Sequence, residues 1–407
     1  MRFDLEQFIF ALSDTVDLVG VDEILHGKRV GYMAWQCAPE LGADAAKKRR
    51  FLHLGMLHDC GISSTEERNR IAGELEWRNS NIHCQVGAER LEFFTPLQSL
   101  ATPIRYHHTR WEKLKKFDLS QKDKIEANIL YLLDRIDYLG QTIPGSSWFS
   151  KKDIIRHKIG GFIDQYFNSE LVEAFLDVSA NEAFWFGLEP TVLRDFIHDQ
   201  KQQHTDISIS IDELHTVAKL FAQIVDAKSP FTAEHSIGVA NLARHLAELC
   251  GLDHERQVLV EIAGLLHDLG KLQVPDHVLE STEPLNTDEL SYMRHHSYTT
   301  YRILSKIEGL EQVAEWASNH HEALDGSGYP FRKTAERLSL ESRIIAIADI
   351  FQALAQKRPY REPEPLDNII AFLKSNSDRG RLDAELVAIL SDNRESCYQA
   401  ATDTKRN

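Results

Sequence analysis

The sequence has little that would direct the chain into a membrane or out of the cell. Its longest apolar stretches, such as residues 344–348, fall far short of the roughly 20 residues that span a bilayer. The opening residues MRFDLEQFIFALSD carry acidic side chains where a signal peptide needs an uninterrupted apolar core. We therefore expect a cytoplasmic protein without a membrane-spanning segment.

Cysteine and positive charge are also scarce. The five cysteines, Cys37, Cys60, Cys84, Cys250 and Cys397, are an odd number without a CxxC pair, which is typical of a reducing compartment. Lys and Arg total 46 against 62 Asp and Glu, so the formal charge is -16. This balance argues against DNA, RNA or an anionic membrane as a partner. An anionic ligand would need local cations or metal ions to hold it.

The 407 residues, 43% of them hydrophobic, have an ordinary globular composition. Convincing strand alternation is absent, and apolar residues recur at helical spacing, so we predict an all-α protein. The polar stretch DQKQQHTDISIS, residues 199–210, is predicted as a linker between an N-terminal domain, residues 1–198, and a C-terminal domain, residues 211–407. One helical face comprises Leu214, Val217, Ala218, Phe221, Ile224 and Val225.

The two halves repeat one ordered set of histidines and aspartates, which indicates an internal duplication. LGMLHDCG in the first half resembles AGLLHDLG in the second, 209 residues later, and the downstream members stand 213 or 215 residues apart. Histidine accounts for only 19 residues, so five ordered coincidences are hard to attribute to chance. The pairs are His26 and His235, His58 and His267, Asp59 and Asp268, His83 and His296, His107 and His320, His108 and His321, and Asp134 and Asp349.

Every member of this set can offer a nitrogen or oxygen ligand to a metal. Five imidazoles and two carboxylates exceed what one tetrahedral zinc uses, and an aspartate can bridge two ions, so we predict a two-metal centre in each half. The lack of thiolate in the set favours iron or manganese, with zinc, cobalt and nickel as alternatives. Adjacent residues on a helix project about 100° apart, so the His-Asp and His-His pairs could each face one cavity.

Some neighbouring residues have simpler explanations. An isolated histidine beside an apolar run, such as His215 or His245, is more often solvated or capped than a ligand. Cys60 follows Asp59, but its counterpart is Leu269, which favours a small core residue. The His-Asp pair after VLVEIAGLL is different, because burying an ionisable pair is costly unless a metal compensates.

The second half, residues 211–390, resembles HD-GYP domains, a subclass of the HD superfamily of metal phosphohydrolases. The resemblance implies an all-helical fold and a binuclear metal phosphodiesterase that linearises bacterial cyclic dinucleotides, typically cyclic di-GMP. The motifs that carry it are HDLGK from His267, RHHS containing His296, HHEALDGSGYP from His320, IIAIAD ending at Asp349 and RPYR from Arg358.

The resemblance also implies roles for individual residues. Asp268 would bridge the two metals, and Lys271 would donate to a phosphate oxygen or to the leaving oxygen; both are the expected catalytic residues. One metal would take His235, His267 and Asp349, and the other His296, His320 and His321. The expected substrate contacts are Lys271, Gly328, Tyr329, Pro330, Arg358 and Arg361.

Three positions depart from the family pattern. Some members carry a glutamate that supports a third metal where this chain has Phe231, so we expect two metals. Gln352 stands where an aspartate is usual, and Ala323 replaces a common basic residue, which leaves the identity of the dinucleotide open. Trp316 shares a helical face with Val313 and is expected to pack in the core.

The first half, residues 1–186, resembles the plain HD superfamily and keeps all seven potential ligands. However, Ile62 replaces the lysine, and no DGxGYP follows His108. Arg105 or Arg110 could contact an anion, although solvated arginines are the simpler interpretation. We expect metal binding without the usual phosphodiesterase activity. This domain would act on a different phosphorylated substrate, sense metal or redox state, regulate the other domain, or only support it.

The leading functional prediction is hydrolysis of a 3',5' phosphodiester in cyclic di-GMP or 3',3'-cyclic GMP-AMP, giving a linear 5'-phosphorylated dinucleotide. An HD-type di-iron oxygenase is one alternative, because histidine-rich, carboxylate-bridged iron can activate oxygen. A catalytically weak module that binds cyclic dinucleotides or signalling proteins is another. Lys271 and the DGSGYP loop favour the hydrolase, and the intact ligand set disfavours the weak module. A homodimer is a further hypothesis.

Overall fold

The structure, a computed structural model, describes residues 2–19, 25–62, 64–65, 81–202, 208–228, 234–357 and 361–403. Over these residues the protein is all-α apart from one pair of two-residue strands, which confirms the predicted fold class. The helices form two compact units. The N-terminal unit begins at Leu5 and includes the helix that ends at Gln202, and the C-terminal unit comprises Phe3–Asp4 and the chain from Ser208 onward.

The N-terminal unit consists of helices with one 3-10 turn at Pro39–Leu41. Its described helices are α1 (Leu5–Asp17), α2 (His26–Cys37), α3 (Ala45–Leu57), α4 (Asn81–Glu92), α5 (Thr95–Gln98), α6 (Ala101–Arg105), α7 (Trp111–Leu114), α8 (Gln121–Thr142), α9 (Trp148–Gly160), α10 (Ser169–Val178), α11 (Glu182–Phe186) and α12 (Pro190–Gln202).

The C-terminal unit has the two short strands, β1 (Phe3–Asp4) and β2 (Ser208–Ile209), and 3-10 turns at Leu269–Gln273 and Ala335–Arg337. Its described helices are α13 (Ile211–Asp226), α14 (His235–Leu249), α15 (His254–Leu266), α16 (Asp276–Leu279), α17 (Thr287–Leu304), α18 (Glu311–Ser318), α19 (Leu340–Ala355), α20 (Leu366–Asp378), α21 (Ala384–Asp392) and α22 (Arg394–Thr402).

Side-chain caps fix where two of the long helices begin. Ser210 accepts the backbone N–H of Glu213 at 3.3 Å, and the Glu213 carboxylate accepts the backbone N–H of Ser210 at 2.8 Å. Asn286 and Glu289 make the same reciprocal pair at the start of α17. Such a pair satisfies two backbone donors that have no partner within the helix. The start of α17, which carries one of the predicted ligands, is thereby set by local sequence.

Glycine permits the close helix crossings beside both His-Asp pairs. A Cβ atom at Gly55 of α3 would lie 2.5 Å from Gly31 Cα of α2. A Cβ atom at Gly264 of α15 would lie 2.9 Å from Ala240 Cα of α14. Both distances are overlaps that close-packed cores do not accommodate without backbone shifts. Gly55 and Gly264 stand 209 residues apart, so the duplication also conserves the crossing that brings two ligand-bearing helices together.

The predicted linker, residues 199–210, is structured at both ends. Residues 199–202 continue α12, Ser208–Ile209 forms β2, and Ser210 caps α13. Gln200 and Ile209 are buried, at 5% and 1% exposure. The sequence did not predict this, because a single buried residue in a polar stretch produces no periodic pattern. Residues 203–207 lie outside the described part of the chain.

The N-terminal strand also shifts the predicted domain boundary. Phe3–Asp4 pairs antiparallel with Ser208–Ile209, with Phe3 opposite Ile209. Phe3 is 2% exposed. A Cβ atom added at Gly309 would lie 3.1 Å from the Phe3 ring, so Phe3 packs in the C-terminal unit. The prediction placed residues 1–198 in one domain because β1 is too short to show an alternating pattern.

The predicted helical faces lie in the cores. All six residues of the apolar face predicted in α13 are buried, and Trp316 is 3% exposed, which confirms it as a core residue. His215 Nε2 pairs with Glu261 Oε1 at 2.7 Å, and His245 Nε2 pairs with Ser396 Oγ at 2.9 Å. Neither histidine belongs to a ligand cluster among the described residues, as expected.

Candidate metal centres

The seven predicted ligands of the C-terminal unit come together around Asp268. Each lies at or just beyond a helix end or on an inward helical face. Six of the side chains are at most 12% exposed, and His321 is half-buried as a residue. They come from the start of α14 (His235), the end of α15 (His267 and Asp268), the middle of α17 (His296), the end of α18 (His320 and His321) and α19 (Asp349).

One oxygen of the Asp268 carboxylate faces the first group of ligands. Asp268 Oδ2 lies 3.3 Å from His267 Nε2 and 3.7 Å from His235 Nε2. Asp349 Oδ1 lies 3.2 Å from His235 Nε2 and 3.9 Å from His267 Nε2. Ligand atoms that share one ion at about 2.0–2.2 Å have separations of this size. These four residues could therefore hold one metal.

The other oxygen of Asp268 faces the second group. Asp268 Oδ1 lies 3.6 Å from His296 Nε2 and 3.8 Å from His320 Nε2, and these two nitrogens are 3.1 Å apart. The His321 ring centroid is 4.1 Å from that of His320. Ligand atoms of the three histidines all lie within 4.8 Å of one another. The carboxylate thus presents one oxygen to each of two groups, as a bridging aspartate would.

The histidines that follow α15 and α18 are oriented by the ends of those helices. His267 Nδ1 donates to Gly264 O, and His320 Nδ1 donates to Ala317 O, both at 2.7 Å. The last carbonyls of a helix have no partner within it, so each ring caps its helix and turns Nε2 toward the centre. The sequence interpretation placed these ligand pairs on the helices, whereas in the structure His267 directly follows the last residue of α15 and His320 lies two residues after the end of α18.

The electrostatics favour the protonation states that bind metals. Burial lowers the pKa of His296 to about 3 and that of His321 to about 4, so both imidazoles are neutral. Burial opposes ionisation of Asp268, but the charges of His267 and Lys271 outweigh it and hold the Asp268 pKa well below its ordinary value. Neutral imidazoles and an ionised carboxylate are the forms that coordinate divalent ions.

Two buried atoms at the centre find no hydrogen-bond partner among the described residues: His267 Nε2 and Asp268 Oδ1. Leaving a buried polar atom unpaired costs about 1–3 kcal/mol, and more for a charged group. Burial lowers the pKa of His267, yet Asp268 and Asp349 outweigh that effect and raise it, so the local field favours a bound positive charge. The donor atoms, the field and the unpaired atoms fit a two-metal centre.

Lys271 adds a cation beside the bridging carboxylate. It lies in the 3-10 turn Leu269–Gln273, and its Nζ donates to Asp268 Oδ2. Because α15 ends at Leu266, Lys271 is not on that helix and reaches the carboxylate three residues earlier in the chain. Its side chain is 19% exposed, which leaves it access to a ligand that enters the site.

The DGSGYP loop folds back onto His321. A Cβ atom at Gly328 would lie 2.4 Å from Glu322 Cα and 2.5 Å from His321 O, so only glycine fits this approach. Tyr329 N donates to His321 O at 3.1 Å, and the two rings lie with centroids 4.8 Å apart. Tyr329 therefore contacts a predicted ligand directly, and the half-buried Pro330 follows it at the surface.

Glu322 and Arg294 are functional candidates that sequence reasoning missed. The buried Glu322 carboxylate accepts the backbone N–H groups of Phe331 at 2.6 Å and Lys333 at 3.0 Å, so it fixes the far side of the loop. The exposed Arg294 of α17 has its guanidinium carbon 5.4 Å from the Tyr329 ring centroid. Arg294 opens the RHHS motif that contains His296, but sequence reasoning assigned no role to this arginine.

Gln352 accepts a hydrogen bond from the predicted ligand His235. It is 2% exposed, and His235 Nδ1 donates to its Oε1 at 2.5 Å, which turns His235 Nε2 toward Asp349. Metal-bound histidines commonly donate their second nitrogen to such an acceptor. A neutral amide therefore takes a position where the family has a carboxylate. Ala323, the other departure, is 5% exposed and packs in the core.

The predicted arginine contacts and the third-metal position are only partly described. Arg361 donates from Nη2 to Ala353 O, a backbone carbonyl of α19, and is half-buried. Arg358 and Phe231 lie outside the described residues. The role of Arg361 with substrate stays a prediction.

The N-terminal unit repeats the arrangement around Asp59. Two clusters of ligand atoms form, one of His26, His58 and Asp59 and one that includes His83, His107 and His108. Asp134 lies between them, with Oδ1 3.5 Å from His26 Nε2 and Oδ2 3.7 Å from His108 Nε2. These ligands come from the start of α2 (His26), the end of α3 (His58 and Asp59), α4 (His83), the end of α6 (His107 and His108) and α8 (Asp134).

Asp59 also presents its two oxygens to different histidines, but His58 faces Oδ1, whereas its counterpart His267 faces Oδ2 of Asp268. Asp59 Oδ2 lies 3.3 Å from His26 Nε2. Asp59 Oδ1 lies 3.4 Å from His58 Nε2, 3.5 Å from His83 Nε2 and 3.8 Å from His107 Nε2. His58 and His107 also cap their helices, each donating from Nδ1 to the carbonyl three residues earlier at 2.7 Å. The sequence interpretation again assigned these pairs to the helices themselves.

A carboxylate replaces the Gln352 amide in this unit. Asp137 accepts from His26 Nδ1 at 2.8 Å and pairs with the buried Arg29, whose Nη2 lies 2.9 Å from Asp137 Oδ2. Burial lowers the pKa of His26, but hydrogen bonds and charge from Asp137 and Asp59 outweigh it and raise this pKa to about 10. The position therefore favours a positive charge, whether a proton or a metal ion.

The N-terminal unit has no lysine at the place of Lys271. Ile62 occupies it and is 1% exposed. The buried Arg135 donates from Nη2 to the ligand Asp134 at 2.7 Å, so this cation is already paired. Arg105 and Arg110 form ion pairs with nearby acidic side chains at the surface, consistent with the simpler interpretation of both.

Cys84, which sequence reasoning missed, adds a sulfur atom to the N-terminal cluster. Cys84 Sγ lies 3.6 Å from His83 Nε2 and 3.8 Å from His107 Nε2. Cys60, the cysteine that follows the His-Asp pair, instead donates toward Gly87 O at 3.6 Å, which confirms it as a buried core residue.

Comparison with known proteins assigns a family to this geometry. HD domain models match residues 24–139 and 219–386. The 3'3'-cGAMP-specific phosphodiesterase 1 of Vibrio cholerae is 36% identical over 401 residues, which cover 97% of this chain and 93% of that protein. The chain belongs to the HD-GYP family. In this HD-GYP protein, the DGSGYP loop and the lysine after the His-Asp pair occur only in the second of the two HD domains.

The chain is also similar to a second named phosphodiesterase and to a solved structure. The cyclic di-GMP phosphodiesterase response regulator RpfG of Xanthomonas campestris is 37% identical over 172 residues, which cover 42% of this chain and 45% of that protein. A crystal structure of a cyclic GMP-AMP specific phosphodiesterase of V. cholerae, V-cGAP3, superposes with a TM-score of 0.66 at 22% identity, covering 97% of this chain and 98% of that one. This second likeness shows a shared fold. Within the described part of the chain, no helix combines the length and apolar character needed to cross a membrane.

Proposed function

We propose that the C-terminal HD domain hydrolyses one 3',5' phosphodiester of a cyclic dinucleotide and releases a linear dinucleotide with a 5' phosphate. The observation that carries the proposal is the Asp268 carboxylate, whose two oxygens face two separate histidine groups. The V. cholerae relative that matches almost the whole chain is named for 3'3'-cGAMP, so we propose 3'3'-cGAMP as the preferred substrate. Cyclic di-GMP is the second candidate, because RpfG is named for it.

The proposed metal centre consists of the seven ligands around Asp268. Bound there, two divalent cations would neutralise charge on the phosphoryl oxygens and lower the pKa of the attacking water. The nitrogen and oxygen donors favour iron or manganese. One cation would be held by His235, His267, Asp268 and Asp349, and the other by Asp268, His296, His320 and His321.

The remaining parts of the site would bind and position the dinucleotide. Lys271 Nζ lies at the bridging carboxylate and can donate to a phosphoryl oxygen or to the leaving oxygen. Gly328 brings the loop backbone against His321, and Tyr329 covers that ring, so the loop forms one wall of the site. Arg294, next to Tyr329, supplies a second exposed cation for the other phosphate.

These cations favour a hydrolase over the two alternatives. An oxygenase has no need of a lysine at the bridging carboxylate or of an arginine beside the substrate loop. A weak binding module would tolerate the loss of a ligand, yet all seven are in place in the C-terminal unit. The acidic chain, with a formal charge of -16, can still bind an anion because metals and these cations concentrate positive charge in one cleft.

We infer a cytoplasmic location from the thiols. None of the five cysteines is in a disulfide, and four of them are buried. Disulfides are rare in reducing compartments, where thiols persist. A homodimer and signalling-protein partners stay hypotheses, as do the regulatory, catalytic and supporting roles of the N-terminal domain.

The proposal is tested by incubating the protein, loaded with Mn²⁺ or anaerobically with Fe²⁺, with 3'3'-cGAMP and with cyclic di-GMP. We expect a linear dinucleotide with one 5' phosphate, identified by mass and by its sensitivity to phosphatase. We expect faster turnover of 3'3'-cGAMP, and no product in the presence of a metal chelator. Tight binding of either dinucleotide without any product would contradict hydrolysis and support a binding module.

A lysine variant tests the mechanism in the same assay. Lys271→Met removes the ammonium while it keeps most of the side-chain length, and we expect kcat to fall about 100-fold, as when a preorganised donor to developing charge is removed. Lys374→Met changes an exposed lysine of α20 and serves as the matched control. Equal activity of both variants would remove Lys271 from the mechanism.

A further inference from the structure

The N-terminal centre contains a thiol that its C-terminal counterpart lacks. Cys84 follows the predicted ligand His83 in α4 and is completely buried. Its sulfur faces the same space as His83 Nε2 and His107 Nε2, at 3.6 and 3.8 Å. The side chain is therefore placed among ligand nitrogens and not in an apolar pocket.

The three separations match the edges of a tetrahedral zinc site. With Zn–S of about 2.3 Å and Zn–N of about 2.0–2.1 Å, a tetrahedron has S···N edges of about 3.6 Å and an N···N edge of about 3.4 Å. The two S···N distances at Cys84 are 3.6 and 3.8 Å, and His83 Nε2 lies 3.4 Å from His107 Nε2. These three atoms already have the spacing that one shared ion would require.

His108 is the fourth donor of the cluster. Its side chain is 4% exposed, and its buried Nε2, 3.7 Å from Asp134 Oδ2, finds no hydrogen-bond partner among the described residues. Ligand atoms of His83, Cys84, His107 and His108 all lie within 4.8 Å of one another. Asp59 Oδ1, 3.5 Å from His83 Nε2, borders the cluster and can bridge to the other group. The unpaired buried nitrogen is an independent sign that this arrangement suits a metal ion.

The C-terminal unit has a serine at the position that corresponds to Cys84. Ser297 takes the corresponding place in the C-terminal unit, 213 residues later, and its hydroxyl lies 3.1 Å from His296 Nε2 as a hydrogen-bond partner. A neutral hydroxyl is a weak ligand beside a thiolate, which prefers softer metals such as zinc. The two centres share seven ligand positions but differ at this eighth one.

We propose that His83, Cys84, His107 and His108 form a thiolate-bearing zinc site, so that the two HD domains of this chain hold different metals. Zinc would occupy this position of the N-terminal centre, while the C-terminal centre, with nitrogen and oxygen donors alone, takes iron or manganese. The inference does not depend on which dinucleotide the C-terminal domain hydrolyses, because it concerns metal binding in the other unit.

Cobalt substitution tests the sulfur ligand without an activity assay. Metal-free full-length protein is titrated anaerobically with Co²⁺, and the near-ultraviolet charge-transfer band of a cobalt thiolate is recorded. We expect the band in the wild type, its loss in Cys84→Ser, and its displacement when Zn²⁺ is added. Cys60→Ser, which changes the neighbouring buried thiol, is the matched control and should keep the band.

Zinc competition supplies the second readout. With a chromophoric chelator as competitor, we expect Cys84→Ser to lose at least about 10-fold in affinity for one zinc per chain, because removing even an outer partner of a ligand costs 10- to 100-fold. Far-ultraviolet circular dichroism of each variant shows whether it has folded. A cobalt-thiolate band that persists in Cys84→Ser, or zinc affinity equal to that of the wild type, would overturn the proposal.

Discussion

At the scale of single residues, one hydrogen bond to a backbone carbonyl decides which ring nitrogen each of four histidines presents to its centre. His58, His107, His267 and His320 all donate from Nδ1 to the carbonyl three residues earlier, at 2.7 Å. That bond fixes the tautomer and leaves the Nε2 lone pair for a metal. The order of residues along the chain predicted which imidazoles would gather. It could not predict their orientation, because that depends on where each helix ends.

His235 opens its helix and therefore has no preceding helical carbonyl to bond, so Gln352 replaces that partner. We expect Gln352→Leu to raise by about 10- to 100-fold the Mn²⁺ concentration that half-restores hydrolysis in metal-free protein, because His235 loses its acceptor. Gln352→Asp should restore or strengthen binding, since a carboxylate accepts the same bond and makes the imidazole more basic.

The exposed Gln399 of α22 offers a matched control for this change. Gln399→Leu should leave the Mn²⁺ dependence as in the wild type. If Gln352→Leu also behaves as the wild type, His235 is held in place by packing alone, and the amide has no positioning role.

Residues that reach a centre only through tertiary packing escaped prediction. Arg294 lies within the RHHS motif, but its proximity to Tyr329, 35 residues later, follows only from how the loop packs on α17. Cys84 was accessible in principle, because it pairs with Ser297 at the 213-residue offset of the neighbouring histidines. A search for repeated His and Asp alone passed over it, since serine and cysteine are different residue types.

At the scale of elements, helix ends and one loop build the C-terminal site. Spacing predicted the helices well, but it placed the His-Asp and His-His pairs within them rather than one or two residues beyond their ends. Helix periodicity is insensitive to a boundary of one or two residues. The consequence is chemical, because the carbonyls in the last turn of a helix have no partner within it and can accept the imidazole N–H.

The DGSGYP loop depends on the close approach at Gly328. In Gly328→Ala, the added Cβ would lie 2.4 Å from Glu322 Cα and 2.5 Å from His321 O, which are both backbone atoms. The loop must then move away from the centre. We expect kcat/KM for the cyclic dinucleotide to fall about 100-fold, the effect of misplacing a binding group by about 1 Å.

Gly160 of α9 provides the control for this substitution, because a Cβ atom there would meet no atom within 4 Å. Gly160→Ala should leave kcat/KM unchanged, and thermal unfolding of both variants separates a local effect from a loss of folding. A Gly328→Ala enzyme with wild-type kcat/KM would show that the loop does not shape the site.

At the scale of the whole molecule, the chain carries two versions of one centre. The duplication was predictable, because chance does not explain seven pairs of potential ligands in the same order at slowly growing offsets. The boundary between the two units was harder to predict. The pairing of Phe3 with Ile209 places the first residues in the C-terminal unit, since a two-residue strand leaves no pattern in the sequence.

The two centres are not equivalent in their surroundings. Lys271 and the DGSGYP loop accompany the C-terminal ligands, whereas the N-terminal ligands have a buried Ile62 and an arginine already paired with Asp134. A centre without a cation available for substrate cannot stabilise a dinucleotide phosphate in the same way. We therefore assign phosphodiester hydrolysis to the C-terminal one of two otherwise similar candidate metal centres.

The most direct test of this assignment compares the two bridging aspartates. Hydrolysis of 3'3'-cGAMP is measured for the wild type, Asp268→Asn and Asp59→Asn, each checked for folding by circular dichroism. We expect Asp268→Asn to lose more than the roughly 10- to 100-fold that removal of an outer partner costs, and Asp59→Asn to hydrolyse at the wild-type rate. Loss of hydrolysis in Asp59→Asn with activity retained in Asp268→Asn would place the chemistry in the other domain and contradict the account.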